Sequence, residues 1–547
     1  MATWIDLEDM FSNRQGFGTT INIEECLHGE NDIFLPNNIY QQLISDLNKY
    51  YKQTSEDIKL IIDVNKSQEE NITNNTNKIT TNTNDIKLLK EKDNQLVEKI
   101  TKNENDIKEL NTNFSIFEGA TDDKFVELDE FDLLLNNRIK LYENNLAIVK
   151  NYSELISAVE SNKKLIYMQE GNYTPTKELE LTENTKIIGV GKVVINCNVT
   201  GITNIFRNKT LSNQGEYTAD GNITIENIEF DGQNTTNNIT VIGMAHSNNF
   251  KIENCKFYNY NTAWHCIEIN SSKNVTIENC QFLNFGLGIA RATEIVQVDG
   301  SFNNTVYPWN NVSYDSTMST DIFIKNNLFE NYGGVTGCIG THTYVKGYKH
   351  SNINVEENTF KNVDNAIYLL EVETLKVINN YGKDVFNFMY LGSLAGNTQT
   401  NTIVRDNRIA FKDTVLKDLP IFYGELGRFI YMIYNKGQTN ITVDNCFIEN
   451  NVLWDTKDYA ISVTGNNITV NGNKIYKGRM GVYLYGGDRI ICTGNIVTDS
   501  DMETDIRVGG NESILTQRVI CSGNIGAIET TLNVSSDTIL IEKNITN

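Results

Sequence analysis

The sequence predicts an all-β fold, a right-handed parallel β-helix, preceded by an N-terminal α-helical coiled coil. Three observations carry that reading: a six-residue phrase that recurs eleven times, alternating β-branched runs beside its copies, and a run of heptads ahead of the first copy. A repeat of fixed period sets the architecture before any single motif is weighed.

Residues 1–50 have no period and place Gly16 and Gly18 among aromatics, the pattern of a small attachment segment. From 51 to 118 the pattern changes. Ile58, Ile72, Ile79, Ile86, Ile100, Ile107 and Phe114 fall on one heptad position, and Ile61, Leu89, Leu96, Leu110 and Phe117 fall three residues later. Two apolar positions per heptad define a coiled coil, here roughly 90 Å long at about 1.5 Å rise per residue. Polar layers at Asn75, Asn82 and Asn103 fix register at a cost in stability. An oligomer is expected; a long polar helix without a partner is the alternative. Gly119 interrupts the heptads, and 119–147 reads as a helical neck.

The β-helix domain is expected over 148–547. A helix across Tyr152 to Val159 precedes Leu165-Ile166-Tyr167, Gly171-Asn172-Tyr173 and Ile187-Ile188-Gly189, and is well placed to cover the open end of a stacked core. The phrase first reads Ile225-Glu226-Asn227-Ile228-Glu229-Phe230 and recurs from Ile252, Ile277, Ile324, Val355, Val377, Val404, Val443, Val470, Cys492 and Cys521. Its first polar column is Asn227, Asn254, Asn279, Asn326, Glu357, Asn379, Asp406, Asn445, Gly472, Gly494 and Gly523. With one exception these residue types tolerate positive φ, so the column marks a tight corner. The next column, Ile228, Cys255, Cys280, Asn327, Asn358, Asn380, Asn407, Cys446, Asn473, Asn495 and Asn524, wants a small residue or an amide. Stacked amides there can satisfy the backbone of neighbouring corners, and cysteine packs as a small hydrophobe. Most corners lie 22 to 31 residues apart, enough for three short strands and their turns. A helical solenoid has a similar period, but the β-branched alternation and the Gly and Asn punctuation disfavour it.

Composition narrows the function classes. The formal net charge of −23 argues against a general nucleic-acid binder. No signal peptide or transmembrane span is legible, so no membrane insertion is expected. Nine cysteines, an odd number without a Cys-x-x-Cys pair, disfavour a disulfide framework and a zinc site.

Four of the five histidines, His246, His265, His342 and His350, fall within 105 residues, among the least regular rungs. If Val296 and Val298 point inward, Gln297 and Asp299 point outward. If Ile339, Thr341 and Thr343 point inward, His342 points outward one rung on, and Glu268 does so one rung before. Glu294 fits this phasing only if a bulge follows it. Stacked rungs lie about 4.8 Å apart, so these carboxylates and the imidazole share a face and suit acid and base chemistry. Each of these polar residues alone is more simply a solvated sheet position; the clustering favours a site. The corners at Asn279 and Asn326 are 47 residues apart, and the excess supplies a loop with Tyr307, Pro308, Trp309, Tyr314 and Asp315. Long insertions in a regular solenoid usually carry function, and an aromatic loop beside carboxylates suits a carbohydrate or polyol; packing on a neighbouring subunit is the alternative. A smaller insertion lies at about residues 410–438.

The solenoid resembles the right-handed β-helix proteins of the pectate-lyase-like superfamily. Its middle is similar to the tail-spike or pre-neck appendage proteins of small phages that infect Gram-positive bacteria. Ala245-His246, Trp264-His265-Cys266-Ile267-Glu268, Glu294-Ile295-Val296-Gln297-Val298-Asp299, Ile339-Gly340-Thr341-His342 and His350-Ser351-Asn352-Ile353 carry that resemblance. It implies a homotrimeric virion appendage, made in the host cytoplasm and gripped by a virion tail or neck protein through residues 1–50. The appendage would bind and degrade a host cell-wall polymer, teichoic acid or a capsular or wall polysaccharide, as a hydrolase or, alternatively, a lyase. The catalytic candidates are Glu294, Asp299, His342 and Glu268. The substrate-binding candidates are His246, His265, Gln297, Arg291, Trp309, Asp315 and His350. No metal ligand and no cofactor is predicted. The calcium carboxylate cluster of pectate lyases has no full equivalent in the sequence, which disfavours pectate as substrate and leaves calcium an open question. A receptor-binding fibre that only adheres is the alternative function, and a bacterial surface adhesin a weaker one.

Overall fold

The computed structural model describes Ser45, Lys102 and residues 144–235, 237–261, 265–286, 294–302, 312–333, 336–412, 428–433, 442–456, 458–499, 505–509, 515–531 and 539–545. Its chain contacts divide at Leu128 into two units. Of the first, only Ser45 and Lys102 are described, both helical. Apart from these two residues, the attachment segment and the coiled coil lie outside the described residues, and so does nearly all of the neck.

The second unit is a parallel β-helix, beginning with the strand Leu146–Val149. Three ladders of parallel strands run along it. The first passes through Ile223–Glu226, Asn248–Glu253, Lys273–Glu278, Thr320–Lys325 and His350–Glu356. A second passes through Glu229–Thr235, Lys256–Tyr260, Gln281–Phe285, Leu328–Tyr332 and Thr359–Tyr368. The third passes through Asn204–Asn208, Thr240–Ala245, His265–Asn270, Val296–Asp299 and Ile339–Gly340. In-register stacking places like residues over like, and inside the second ladder Phe230, Phe257, Phe282, Phe329 and Phe360 form a continuous column with centroids 4.8 to 5.2 Å apart. Each ring is fully buried, so each coil supplies apolar surface that only its neighbours can cover.

The helix Tyr152–Glu160 forms where expected, capped by Asn151, whose side chain accepts from the Glu154 amide and satisfies one of the orphan N–H groups of the first turn. Its buried face, Tyr152, Leu155, Ala158 and Val159, joins the core beside Ile166 and Met168.

All eleven corner residues, Glu357 included, have φ between 54° and 66°. The copy at Val443 is nevertheless out of register. Arg405 pairs with Glu449, so the corner that follows Asp406 is Asn450 (φ 56°), and the amide after it is Asn451 rather than Cys446. Asn445 belongs to a different positive-φ column, stacked on Asn401, to whose Oδ1 its Nδ2 donates at 2.6 Å. The corner interval is therefore 450 − 406 = 44 residues, a second long interval containing the insertion at 410–438.

With that correction the amide column is continuous. Asn327, Asn358, Asn380, Asn407, Asn451, Asn473, Asn495, Asn524 and Asn544 follow one another, each side-chain oxygen from Asn358 on accepting both the backbone N–H and the side-chain N–H of the residue before. Cys280 ends the column by donating its own N–H to Asn327 (2.8 Å) while its thiol lies between the Glu278 carbonyl (3.3 Å) and the Ile252 carbonyl (3.8 Å). A half-buried amide column runs at another corner, where Asn362 donates to Asn331 and Asn331 to Asn284, each at 2.9 Å. Asn331 has φ 59°, so Asn331→Ala is expected to lower stability by about 1–2 kcal/mol, the cost of a left-handed backbone at a residue other than Gly or Asn. Chemical denaturation checks this; no change would mean that the variant's backbone leaves the left-handed region at no cost.

Candidate active site

The third ladder brings most of the candidate residues together. Glu268 pairs with Gln297 and Asn270 with Asp299, while Val296 and Val298 lie in the core beside Ile267 and Ile269. The result is a four-residue patch in which carboxylate and amide alternate along both rungs and across them. On one rung Asn270 Nδ2 donates to Glu268 Oε1 (2.8 Å); on the next Gln297 Nε2 donates to Asp299 Oδ2 (3.0 Å). All four side chains are buried. Two amide oxygens, Asn270 Oδ1 and Gln297 Oε1, are buried with no donor among the described residues. Buried acceptors without donors are uncommon in native proteins and call for an explanation.

Burial and the neighbouring acids set the protonation states. Burial pushes Glu268 up to about 7, against the pull of the Asn270 and Thr240 hydrogen bonds. Burial likewise pushes Asp299 up to about 8, with the Glu268 and Glu294 charges adding to it, although Gly300 N–H and Thr343 Oγ1 each donate to its carboxylate at 3.0 Å. Charged carboxylates are costly in such surroundings, so a proton is retained near neutral pH.

Glu294 reaches the same row through the expected bulge. Cys266 N–H and Ile267 N–H both donate to the Ile295 carbonyl, and Ile295 and Val296 are successive core residues. Two inward residues in a row break strand alternation and free Glu294 to turn over the next rung. There it lies above Gly340, where an added Cβ would come within 2.5 Å of Glu294 Cγ. Gly340 pairs with Gln297, so Glu294 fills the space that a side chain on this third rung would take. His265 is buried beside it, with Nδ1 3.0 Å from the Glu294 carbonyl and 3.7 Å from its carboxylate. Burial lowers His265 to about 3, so it is a neutral imidazole at physiological pH.

The alternation assumed for Ile339 to Thr343 does not hold. The strand ends at Gly340. Thr341 is buried and exchanges bonds with Leu370, His342 is exposed, and Thr343 faces the patch, bonded to Asp299, rather than the core. His342 thus joins the row from beyond the strand end.

His246, His350 and Asp315 have partners elsewhere. Both nitrogens of His246 meet backbone carbonyls, Glu216 at 2.8 Å and Ser313 at 2.9 Å. Asp315 accepts from the Glu216 amide at 2.6 Å and the Thr317 amide at 3.0 Å. Both residues therefore tie the start of the first ladder's Thr320–Lys325 coil to the segment around Glu216. His350 is fully buried within its strand, with the Ser319 N–H donating to Nδ1 at 3.2 Å, and burial lowers it to about 4. Arg291, Trp309, Tyr307 and Pro308 lie outside the described residues. Sequence reasoning missed Asn270, Thr240 and Thr343; the mirrored pairs Glu268-x-Asn270 and Gln297-x-Asp299 were the legible signal for the first.

All eight described cysteines are buried and unpaired, and no described helix is long and apolar enough to cross a membrane. No family model and no curated protein matches the chain. Solved structures resemble it. The Streptococcus pneumoniae surface protein and adhesin PfbA is 18% identical, over 72% of this chain and 96% of that one, with a TM-score of 0.47. A tailspike protein of E. coli bacteriophage HK620 in complex with pentasaccharide is 12% identical, over 71% of this chain and 73% of that one, with a TM-score of 0.49. The A-module of the Azotobacter vinelandii mannuronan C-5 epimerase AlgE6 is 12% identical, over 73% and 96%, with a TM-score of 0.44. Identities this low carry no residue roles.

Proposed function

We propose that the chain is a phage tail spike whose third ladder hydrolyses a bacterial cell-surface polymer, teichoic acid or a capsular or wall polysaccharide, during adsorption. The observation that supports this most directly is the patch itself: two carboxyl groups that keep protons near neutrality, beside two buried amide oxygens that have no donor among the described residues. Hydroxyls of a sugar or polyol would supply the missing donors. Asp299, protonated below about pH 8, is assigned as general acid toward the leaving oxygen. Glu268, near 7, is assigned as base toward water; its diagonal position, one rung away, separates the two roles. Glu294 sits instead with two imidazoles at the rim, where a phosphate or hydroxyl of the polymer would enter past His342. The deciding assay incubates purified protein with isolated wall teichoic acid and capsular polysaccharide and follows release of fragments.

Adhesion without cleavage is the second reading, favoured by the near-complete burial of Glu268 and Asp299. Polymer retained on the protein with no fragment released would establish it and end the hydrolase assignment.

Homotrimeric assembly completes the proposal. Besides the heptads, one outward column of the first ladder, Phe447, Thr469, Ile491, Ile520 and Leu540, exposes four large apolar side chains by 36 to 47%. An apolar stripe along stacked rungs suits a self-association face. Light scattering of the full chain is expected to give three times its 62.0 kDa mass; a monomer would refute this.

A further inference from the structure

We propose that His265, Glu294 and His342 form a binding site for one divalent transition-metal ion of the zinc class. The three come from three successive rungs of the third ladder: His265 opens its strand, Glu294 sits on the bulge, and His342 lies two residues beyond the strand Ile339–Gly340. Their candidate ligand atoms all lie within 4.8 Å of one another. Ligands around zinc sit about 2.0–2.2 Å from the ion, so the cluster must contract by roughly an ångström. The exposed His342, with no strand holding it, is the ligand that can move.

Three further features mark a built site. His265 Nδ1–H donates to the Glu294 backbone carbonyl at 3.0 Å, the orienting bond that metal-ligating histidines make with their second nitrogen, and this leaves the Nε2 lone pair to serve as the ligand. The Glu294 carboxylate is placed by a bulge and by the missing side chain of Gly340, whose Cβ would strike Glu294 Cγ. Two ligands are buried while the third is exposed, which leaves the remaining coordination positions on the solvent side, open to water or substrate. Two imidazoles and one carboxylate suit zinc, cobalt or manganese. They are a poor set for calcium, which takes oxygen ligands, so the chemistry of this cluster answers the calcium question against calcium at this position.

Uptake of the ion does not depend on whether the polymer is cleaved, and the test reads binding alone. Full-length protein dialysed against chelator is titrated with Co2+, followed by visible absorption, and then with Zn2+ by calorimetry. The expected result is one ion per chain, the cobalt spectrum bleached by zinc, and a thermal midpoint raised by zinc, since a ligand for the folded state stabilises it by mass action. His342→Ala and Glu294→Gln are each expected to weaken binding by about 100-fold or more, the loss of a direct ligand exceeding the 10–100-fold typical of its supporting contacts. Because His342 is exposed, His342→Ala should keep the wild-type midpoint in chelator and lose the zinc-dependent rise. Substoichiometric uptake by the wild type overturns the site, and so does wild-type affinity in both variants. An ion that binds to a protein releasing no polymer fragments keeps the metal site and discards the hydrolase.

Discussion

Asp299→Asn is expected to abolish polymer cleavage, by about 10²–10⁴-fold, the usual worth of a positioned general acid, while making the protein more stable above pH 7. Both effects come from one cause. Burial raises Asp299 from 3.8 to about 8, so the folded state holds a proton that the unfolded chain releases. Its contribution to stability is complete below the unfolded pKa and is lost as pH rises through the folded one, at about 1.4 kcal/mol per pH unit. Glu268, raised from 4.5 to about 7, acts in the same direction up to that pH. The buried histidines act oppositely: His350, lowered to about 4, and His265, lowered to about 3, take stability away as pH falls below 6.5. Between pH 6.5 and 8 these two histidines no longer contribute, and the two carboxyl groups do.

An amide at position 299 mimics the protonated acid. It can still accept from Gly300 N–H, and its Nδ2 meets Gln297 Oε1, an acceptor that now lacks a donor, once the Gln297 amide turns over. The variant's thermal midpoint, measured in chelator, should therefore fall less steeply than wild type from pH 6.5 to 8 and lie above it at pH 8.5. Glu268→Gln should also cost activity, with its stability gain complete near pH 7. The two carboxyl groups interact, so the activity profile reports the pair rather than either residue. Full activity in Asp299→Asn would remove the acid assignment. An unchanged pH slope would mean that the group is ionised in the folded protein.

The corner column was legible because its constraint is local. A left-handed backbone admits few residue types, and Asn227, Asn254 and Gly472 announce it in any one coil. The slip at Val443 shows the limit of that signal: Asn445 and Asn450 are both left-handed corners, and φ alone cannot tell which column each belongs to. The pairing of Arg405 with Glu449 decides it. The site was half legible for the same reason. Period-two alternation placed Gln297 and Asp299 correctly, since Val296 and Val298 are plainly core residues. It failed past Gly340, where the strand stops and Thr343 turns back to Asp299. It also gave no separation between His265, which lines the row, and His350, which an unbroken strand buries. Proximity in sequence recruits a histidine to a region; only the local backbone decides what it meets.

The amide column predicts the largest loss of stability from one substitution outside the site. Asn407 Oδ1 accepts from both the backbone and side-chain N–H of Asn380, at 3.0 and 2.9 Å, and Asn407 Nδ2 donates to the Val377 carbonyl at 2.9 Å. Asn407→Leu keeps the approximate volume and removes every one of these bonds. The Asn380 backbone N–H loses its acceptor, the Val377 carbonyl loses this donor, and Asn451 loses the side-chain half of its bond with position 407. Water cannot replace them, because Asn380, Asn407 and Asn451 are all buried. At about 1–3 kcal/mol for each buried group left unsatisfied, the loss is about 2–6 kcal/mol. Leucine also disfavours the turn, having no side-chain oxygen to hold the following coil. Cys280 shows which substitution the column tolerates: at the column's end it still donates its N–H, and its thiol takes the carbonyl that an amide would otherwise take. Asn407→Cys is therefore expected to recover part of the loss, through Val377, but not the Asn380 bonds. Denaturant midpoints ranking wild type above Asn407→Cys, and Asn407→Cys above Asn407→Leu, would show that hydrogen bonding holds the corners together. A leucine variant as stable as wild type would show that close packing alone suffices.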